Sequence, residues 1–171
     1  GGKAATSSGR LAGGSPWNGN QYSVSFDGSD DYVDTGNKFD FIQQTLNFTI
    51  SAWVKFEDYS DARNQYILHT TDSGSRIGLM LWFDNRYGQN YLRSRLMATG
   101  NSYAQSTNAI SDNNWHHVAV TCSQGGSIRL YVDGSELNSS TAPNTTTATA
   151  MHNFIIGGAL NTSGQPVGSF G

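Results

Sequence analysis

Residues 47–56 read NFTISAWVKF. Phe48, Ile50, Ala52, Val54 and Phe56 fall on every second position, with Thr49, Ser51, Trp53 and Lys55 between them. Successive side chains of a strand point to opposite faces, so this strict alternation describes a strand with one packed face and one wet face. A helix would scatter the same apolar residues around its circumference. The pattern demands an antiparallel sheet covered on one side only. Trp53 is the one large aromatic on the polar side.

Other short segments follow the same logic. Residues 22–27, YSVSFD, place Tyr22, Val24 and Phe26 on one face, and DYVDTG follows after a turn. QYILHT, RIGLMLWF and YLRSRLMA are further strand candidates. IRLYVDG ends in Asp-Gly, a hairpin signal, and FIIGG reads as a late buried strand. No segment sustains a period of 3.6 residues. Many short strands with little helix predict an all-β sandwich or barrel, apolar between its sheets and polar outside. Residues 1–21 are rich in Gly, Ser and Ala and read as an arm or linker, with the folded domain over residues 22–171.

Charge narrows the function. Only 13% of residues are charged, against about a quarter in an average chain. The formal net charge is -3 and no Lys/Arg cluster occurs, so the basic stripe that nucleic-acid binding needs is missing. No apolar run approaches the length of a membrane span, which argues against membrane insertion. A single cysteine, Cys122, excludes an internal disulfide and reads as a small buried hydrophobe. A polar chain poor in charge and cysteine is expected in an extracellular, cell-surface or virion setting. It shows no secretory leader and begins Gly-Gly, as expected of a processed product or a fragment.

Residues 112–122, DNNWHHVAVTC, raise the question of a metal site. On a strand His116 and His117 face opposite ways and cannot hold one ion together. The i, i+4 histidine spacing of a helical zinc site is absent. His116 shares a face with Val118, Val120 and Cys122, while His117 shares one with Trp115, Ala119 and Thr121. The stretch is architecture, with Trp115 and one histidine expected to cover a sheet edge or bond at the start of the strand.

SVSFDGSDDYVDTG at residues 23–36, FTISAWVKF at 48–56, NWHHVAVTC at 114–122, IRLYVDGSE at 128–136 and FIIGG at 154–158 occur in this order. Together they resemble the laminin-G-like jelly-roll domain of the concanavalin A-like lectin/glucanase superfamily. The resemblance covers nearly all of residues 22–171. It implies a two-sheet antiparallel jelly-roll sandwich with six or seven strands in each sheet. Members usually close with a strand resembling I-D-D-V-R-I-Y, and this sequence stops at Gly171 where that strand should begin. The expectation is a portion of a longer polypeptide, or a domain whose last strand comes from a partner.

Three kinds of site are conceivable. Asp27 and Asp30, in the turn FDGSDDYVD with Asp31 and Asp34, could hold a structural calcium ion through carboxylate oxygens, as related domains often do near this turn. Sugars stack on aromatic rings while polar groups bond their hydroxyls. Trp53 qualifies, as does the segment WFDNRYGQNY with Trp82, Asp84, Asn85, Arg86, Tyr87 and Tyr91. Glycoside hydrolysis needs two acids across a cleft. The paired-Glu motif of the superfamily's glucanases is absent, and Glu57 and Glu136 are the only glutamates. The expected role is therefore a non-catalytic adhesion or recognition domain for a glycan or cell-surface ligand. Two alternatives stay open: a decoration, fibre or filament subunit with homo-oligomer or assembly partners, and an accessory domain of a secreted hydrolase.

Overall fold

The computed structural model describes residues 23–28, 30–56, 64–70, 78–85, 90–97, 101–107, 110, 112–143, 153–161 and 166–169. The alternating segment forms β2 (Phe48–Lys55). It pairs antiparallel with β7 (Trp115–Cys122) through eight uninterrupted register positions, from Phe48↔Cys122 to Lys55↔Trp115. β8 (Ser127–Val132) and β9 (Ser135–Thr141) complete a four-stranded sheet of order β2-β7-β8-β9. Asp133 and Gly134 connect β8 to β9 with φ of +50° and +81°. Two positive φ values in a two-residue loop suit a hairpin turn, the geometry that Asp-Gly favours.

The facing sheet has six strands in the order β1-β10-β3-β4-β5-β6. They are β1 (Val33–Asp34), β3 (Asn64–His69), β4 (Gly78–Asp84), β5 (Tyr91–Met97), β6 (Asn101–Gln105) and β10 (Ile155–Ile156). A bulge between Tyr66 and Leu68 lets Ile67 and Leu68 both reach the interior. β11 (Gly158–Leu160) pairs with β12 (Pro166–Ser169) in a two-stranded ladder beside β3. The prediction of a two-sheet sandwich holds. Among the described residues, though, the second sheet has four strands rather than six or seven.

The core lies between the sheets, where the inward positions meet. β4 sends in Leu79, Leu81 and Phe83, and β5 sends in Leu92 and Leu96. Val118 and Val120 of β7 and Ile128 and Leu130 of β8 come from the other side. Each such side chain contributes about 1.5–3 kcal/mol through burial. Ile42 and Leu46 close one end from a single helical turn, α1 (Phe41–Thr45), whose following Leu46 is left-handed at φ +53°. Sequence periodicity missed this short helix.

The expected strand at residues 22–27 does not form. Tyr22 lies outside the described residues, and residues 23–27 are irregular, with Val24 exposed and Phe26 half-buried. Strand pairing starts at β1, whose Val33 and Asp34 pair with Ile156 and Ile155 of β10. β6 and β9 were not evident in the sequence, because Ser, Asn and Gln supply little hydrophobic pattern there. The two strands sit side by side at one long edge of the sandwich. Ser102 Oγ donates to the Thr141 carbonyl and Asn138 Nδ2 to the Gln105 carbonyl, tying sheet to sheet.

Candidate functional site

The outward face of the four-stranded sheet is built by alternation alone. Because Phe48, Val54 and their neighbours point inward, Thr49, Ser51, Trp53 and Lys55 must point out. The register aligns these positions in rows with β7 and β8. The rows are Thr49–Thr121–Arg129, Ser51–Ala119–Tyr131, Trp53–His117 and Lys55–Trp115. Trp53 is 58% exposed and Trp115 49%. The Trp53 ring lies 5.4 Å from the His117 ring, tilted by 55°. Trp53 and Trp115 are diagonal neighbours across the β2–β7 pair, a relation that places Cα atoms about 7–8 Å apart. The two rings therefore belong to one platform.

At the other end of this face a shallow, open depression of about 500 Å³ is lined by Thr49, Thr121, Ser123, Gly126, Ser127 and Arg129, with Phe48 and Cys122 beneath. Arg129 Nη1 bonds Glu136 Oε2 at 2.7 Å, which raises the guanidinium pKa. The Cys122 thiol is pushed up to about 11 by burial, so it packs as the sequence predicts and is not a ready nucleophile.

His116 faces the other way and explains how the platform is held. Its Nδ1 meets Asp133 Oδ2 at 2.7 Å and its Nε2 meets Asp112 Oδ1 at 2.8 Å. Each nitrogen faces a carboxylate, an arrangement that favours the doubly protonated, charged ring. Burial works against that charge, but bonds to Asp112 and Asp133 outweigh it and raise the pKa. The His116 bond draws Asp112 down to about 2. Burial raises Asp133, yet the His116 and His117 bonds leave it lowered overall. Asp133 Oδ1 also accepts the His117 backbone N–H at 2.9 Å. One hairpin aspartate thus fixes both histidines, the bonding role anticipated at the start of this strand.

The six-stranded sheet carries a second aromatic group on its outward side. Trp82 of β4 stands opposite Tyr66 and Arg93 in the register. Its ring centroid lies 6.3 Å from those of Tyr66 and Tyr103. Arg93 sits over the Tyr103 ring at 5.7 Å and pairs with Asp84, which is 1% exposed. Trp82 is only 6% exposed, and its Nε1 and the Arg93 Nε are buried without a hydrogen-bond partner among the described residues. Asn85 is buried and Tyr91 half-buried beside Asp84, while Arg86 and Tyr87 lie outside the described residues. Of the expected sugar-contact segment, the described Trp82, Asp84 and Asn85 are thus buried, and Trp82 offers little open ring face. The sequence could not show this, because Tyr66 and Tyr103 arrive from distant strands.

Asp27 and Asp30 do come together, and Asp31 joins them. One carboxylate oxygen from each lies within 4.8 Å of the others. Asp27 N donates to Asp31 Oδ2 at 3.2 Å, and Asp30 N to Asp27 Oδ1 at 3.4 Å. Three carboxylates gathered at one turn offer the oxygen donors that a hard cation such as calcium takes. Asp34 points elsewhere and accepts from the Gly36 N–H and Asn153 Nδ2. The remaining acids with assigned contacts face cations or an imidazole: Asp84 faces Arg93, Asp112 and Asp133 face His116, and Glu136 faces Arg129. No helix among the described residues is long and apolar enough to cross a membrane.

A family model described as the concanavalin A-like lectin/glucanases superfamily matches residues 27–169. No curated protein matches the sequence. Among solved structures, the binding domain of botulinum neurotoxin DC in complex with SialylT gives a TM-score of 0.56 at 16% identity, covering 73% of this chain and 31% of that one. The binding domain of Paraclostridial Mosquitocidal Protein 1 gives 0.54 at 18%, covering 71% and 31%. The botulinum neurotoxin DC binding domain in complex with rat synaptotagmin II gives 0.54 at 14%, covering 73% and 31%. This chain spans under a third of the length of those structures. At these identities the likeness is one of fold.

Proposed function

The chain belongs to the concanavalin A-like lectin/glucanase superfamily, and on that footing we propose that it is a non-catalytic recognition domain for surface glycans. It serves within a larger secreted, cell-surface or virion protein. The observation that carries the reading is Trp53, a tryptophan left 58% exposed on the outward sheet face beside His117 and Ser51. A sugar presents an apolar ring face and a rim of hydroxyls, and a face with exposed tryptophans at one end and Thr and Ser hydroxyls at the other answers both. Two of the like-folded structures are binding domains in complex with SialylT and with rat synaptotagmin II, and the reading carries a comparable recognition role to this chain. Calcium at the Asp27–Asp30–Asp31 turn is part of the proposal, in a structural role away from the Trp53 face.

A glycan array probed with the purified chain tests this, in calcium and in chelator. Saturable binding that disappears in Trp53→Ala, with the fold intact, is the expected result. A blank array under both conditions overturns it. Single-site affinity is expected to be weak, because the face is open, and many copies on one assembly would raise avidity.

A further inference from the structure

We infer that the ligand of the four-stranded face is an extended, neutral oligosaccharide lying along β2 and β7, rather than a single terminal sugar. This rests on the glycan reading above. The four rows from Thr49–Thr121–Arg129 to Lys55–Trp115 span seven residues of strand, about 20 Å of face. Trp53, His117 and Trp115 occupy one end and the hydroxyl-lined depression the other. Between them stand Ser51 and the small, buried Ala119, with Tyr131 completing the row on β8.

The two ends offer different chemistry to one chain. Stacking at Trp53 and Trp115 needs only an exposed ring face. Thr49, Thr121, Ser123 and Ser127 offer hydroxyls that donate and accept, matching the groups of another sugar unit. The face carries two cations, Lys55 in the row of Trp115 and Arg129 at the depression, and it is at the Arg129 end that charge favours a neutral ligand. The one arginine of the depression already faces Glu136 at 2.7 Å, so an acidic sugar would have to compete with a carboxylate in place. A protein partner fits less well at the depression, because interface cores are depleted in Ser and this end is lined by Ser and Thr.

The test is calorimetric titration of the whole chain with neutral, unbranched glucan and mannan oligosaccharides of one to six units. Affinity is expected to rise about tenfold or more between the disaccharide and the longest ligand that fits. Thr121→Ala and Ser127→Ala should lose that gain for the hexasaccharide, and Trp53→Ala should abolish binding at every length. Raising salt from low to physiological strength should leave the affinities unaltered. Equal affinity for every length overturns the extended track while leaving glycan recognition standing. Preference for acidic sugars with strong salt dependence overturns neutrality. Binding to no glycan of any length overturns both readings. A concentration-dependent dimer abolished by Trp53→Ala and Trp115→Ala, without sugar binding, would assign the face to a second copy and overturn the inference.

Discussion

The ring of Phe26 lies directly over the α-carbon of Gly157, so that a β-carbon there would sit 2.5 Å from its Cδ1 and Cζ. Gly157 also has φ +76°, a conformation costly for residues with a β-carbon. The contact pins the irregular segment before β1 onto the turn between β10 and β11. Gly157→Ala should destabilise the domain by about 2–4 kcal/mol, combining backbone strain with overpacking. Gly134→Ala is the control, since its φ is +81° and nothing lies within 4 Å of the added carbon. It should cost about 1–2 kcal/mol from the backbone alone. Urea unfolding of both variants checks the difference, and equal losses would count against the Phe26 contact.

The His116 clasp makes stability depend on pH from both sides. Its folded pKa is raised, so its contribution is full below the ordinary imidazole value of 6.5 and is lost as pH rises through the folded value. Asp112 and Asp133 are lowered, so their contribution is full above the ordinary carboxylate value of 3.8 and is lost on acidification, for Asp112 near pH 2. The melting temperature should plateau between about pH 4 and 6.5 and fall on either side. His116→Asn should flatten the alkaline fall. A wild-type profile that stays level up to pH 9 would show that the clasp contributes nothing.

Trp53 and Trp82 should separate cleanly on mutation. Trp53→Ala removes an exposed ring and should change stability within about 0.5 kcal/mol, while binding is lost. Trp82→Ala empties a buried position between Tyr66 and Tyr103 and should cost about 3–5 kcal/mol. Thermal melts beside glycan binding read the two effects. Wild-type binding in Trp53→Ala would move the recognition face away from β2.

Calcium at the acidic turn predicts ligand-linked stabilisation. At a hundredfold excess over the dissociation constant the gain should be about 2.7 kcal/mol, seen as a higher melting temperature reversed by chelator. Asp27→Asn should remove most of the shift, and Asp34→Asn should not, because Asp34 accepts from Gly36 and Asn153 instead. An identical melt in calcium and chelator would dismiss the ion.

How much could be read in the chain depended on where the information sat. β2 was legible because its own residues alternate, and the two histidines of β7 because neighbours on a strand must diverge. The Asp-Gly turn was legible because few other pairs accept two positive φ values. Trp82 was not, since its burial comes from Tyr66 and Tyr103, sixteen and twenty-one positions away in sequence. β9 was hidden by Ser, Asn and Thr, which pair through backbone bonds and leave no apolar trace. The 22–27 segment misled in the opposite way. It alternates as a strand should, but the backbone of residues 23–27 is irregular, and Phe26 makes its contact with Gly157 without a ladder.

The eight unbroken register pairs of β2 and β7 have one more consequence. Phe48, Val54, Val118 and Val120 hold the sandwich together from the inner side, while Thr49, Ser51, Trp53, Thr121 and their row-mates hold nothing inside. Folding and recognition are therefore written on alternate letters of the same two segments. Selection could rewrite the outward letters for a new ligand while the inward ones stay unread, and a lineage could change its target many times without once risking its frame.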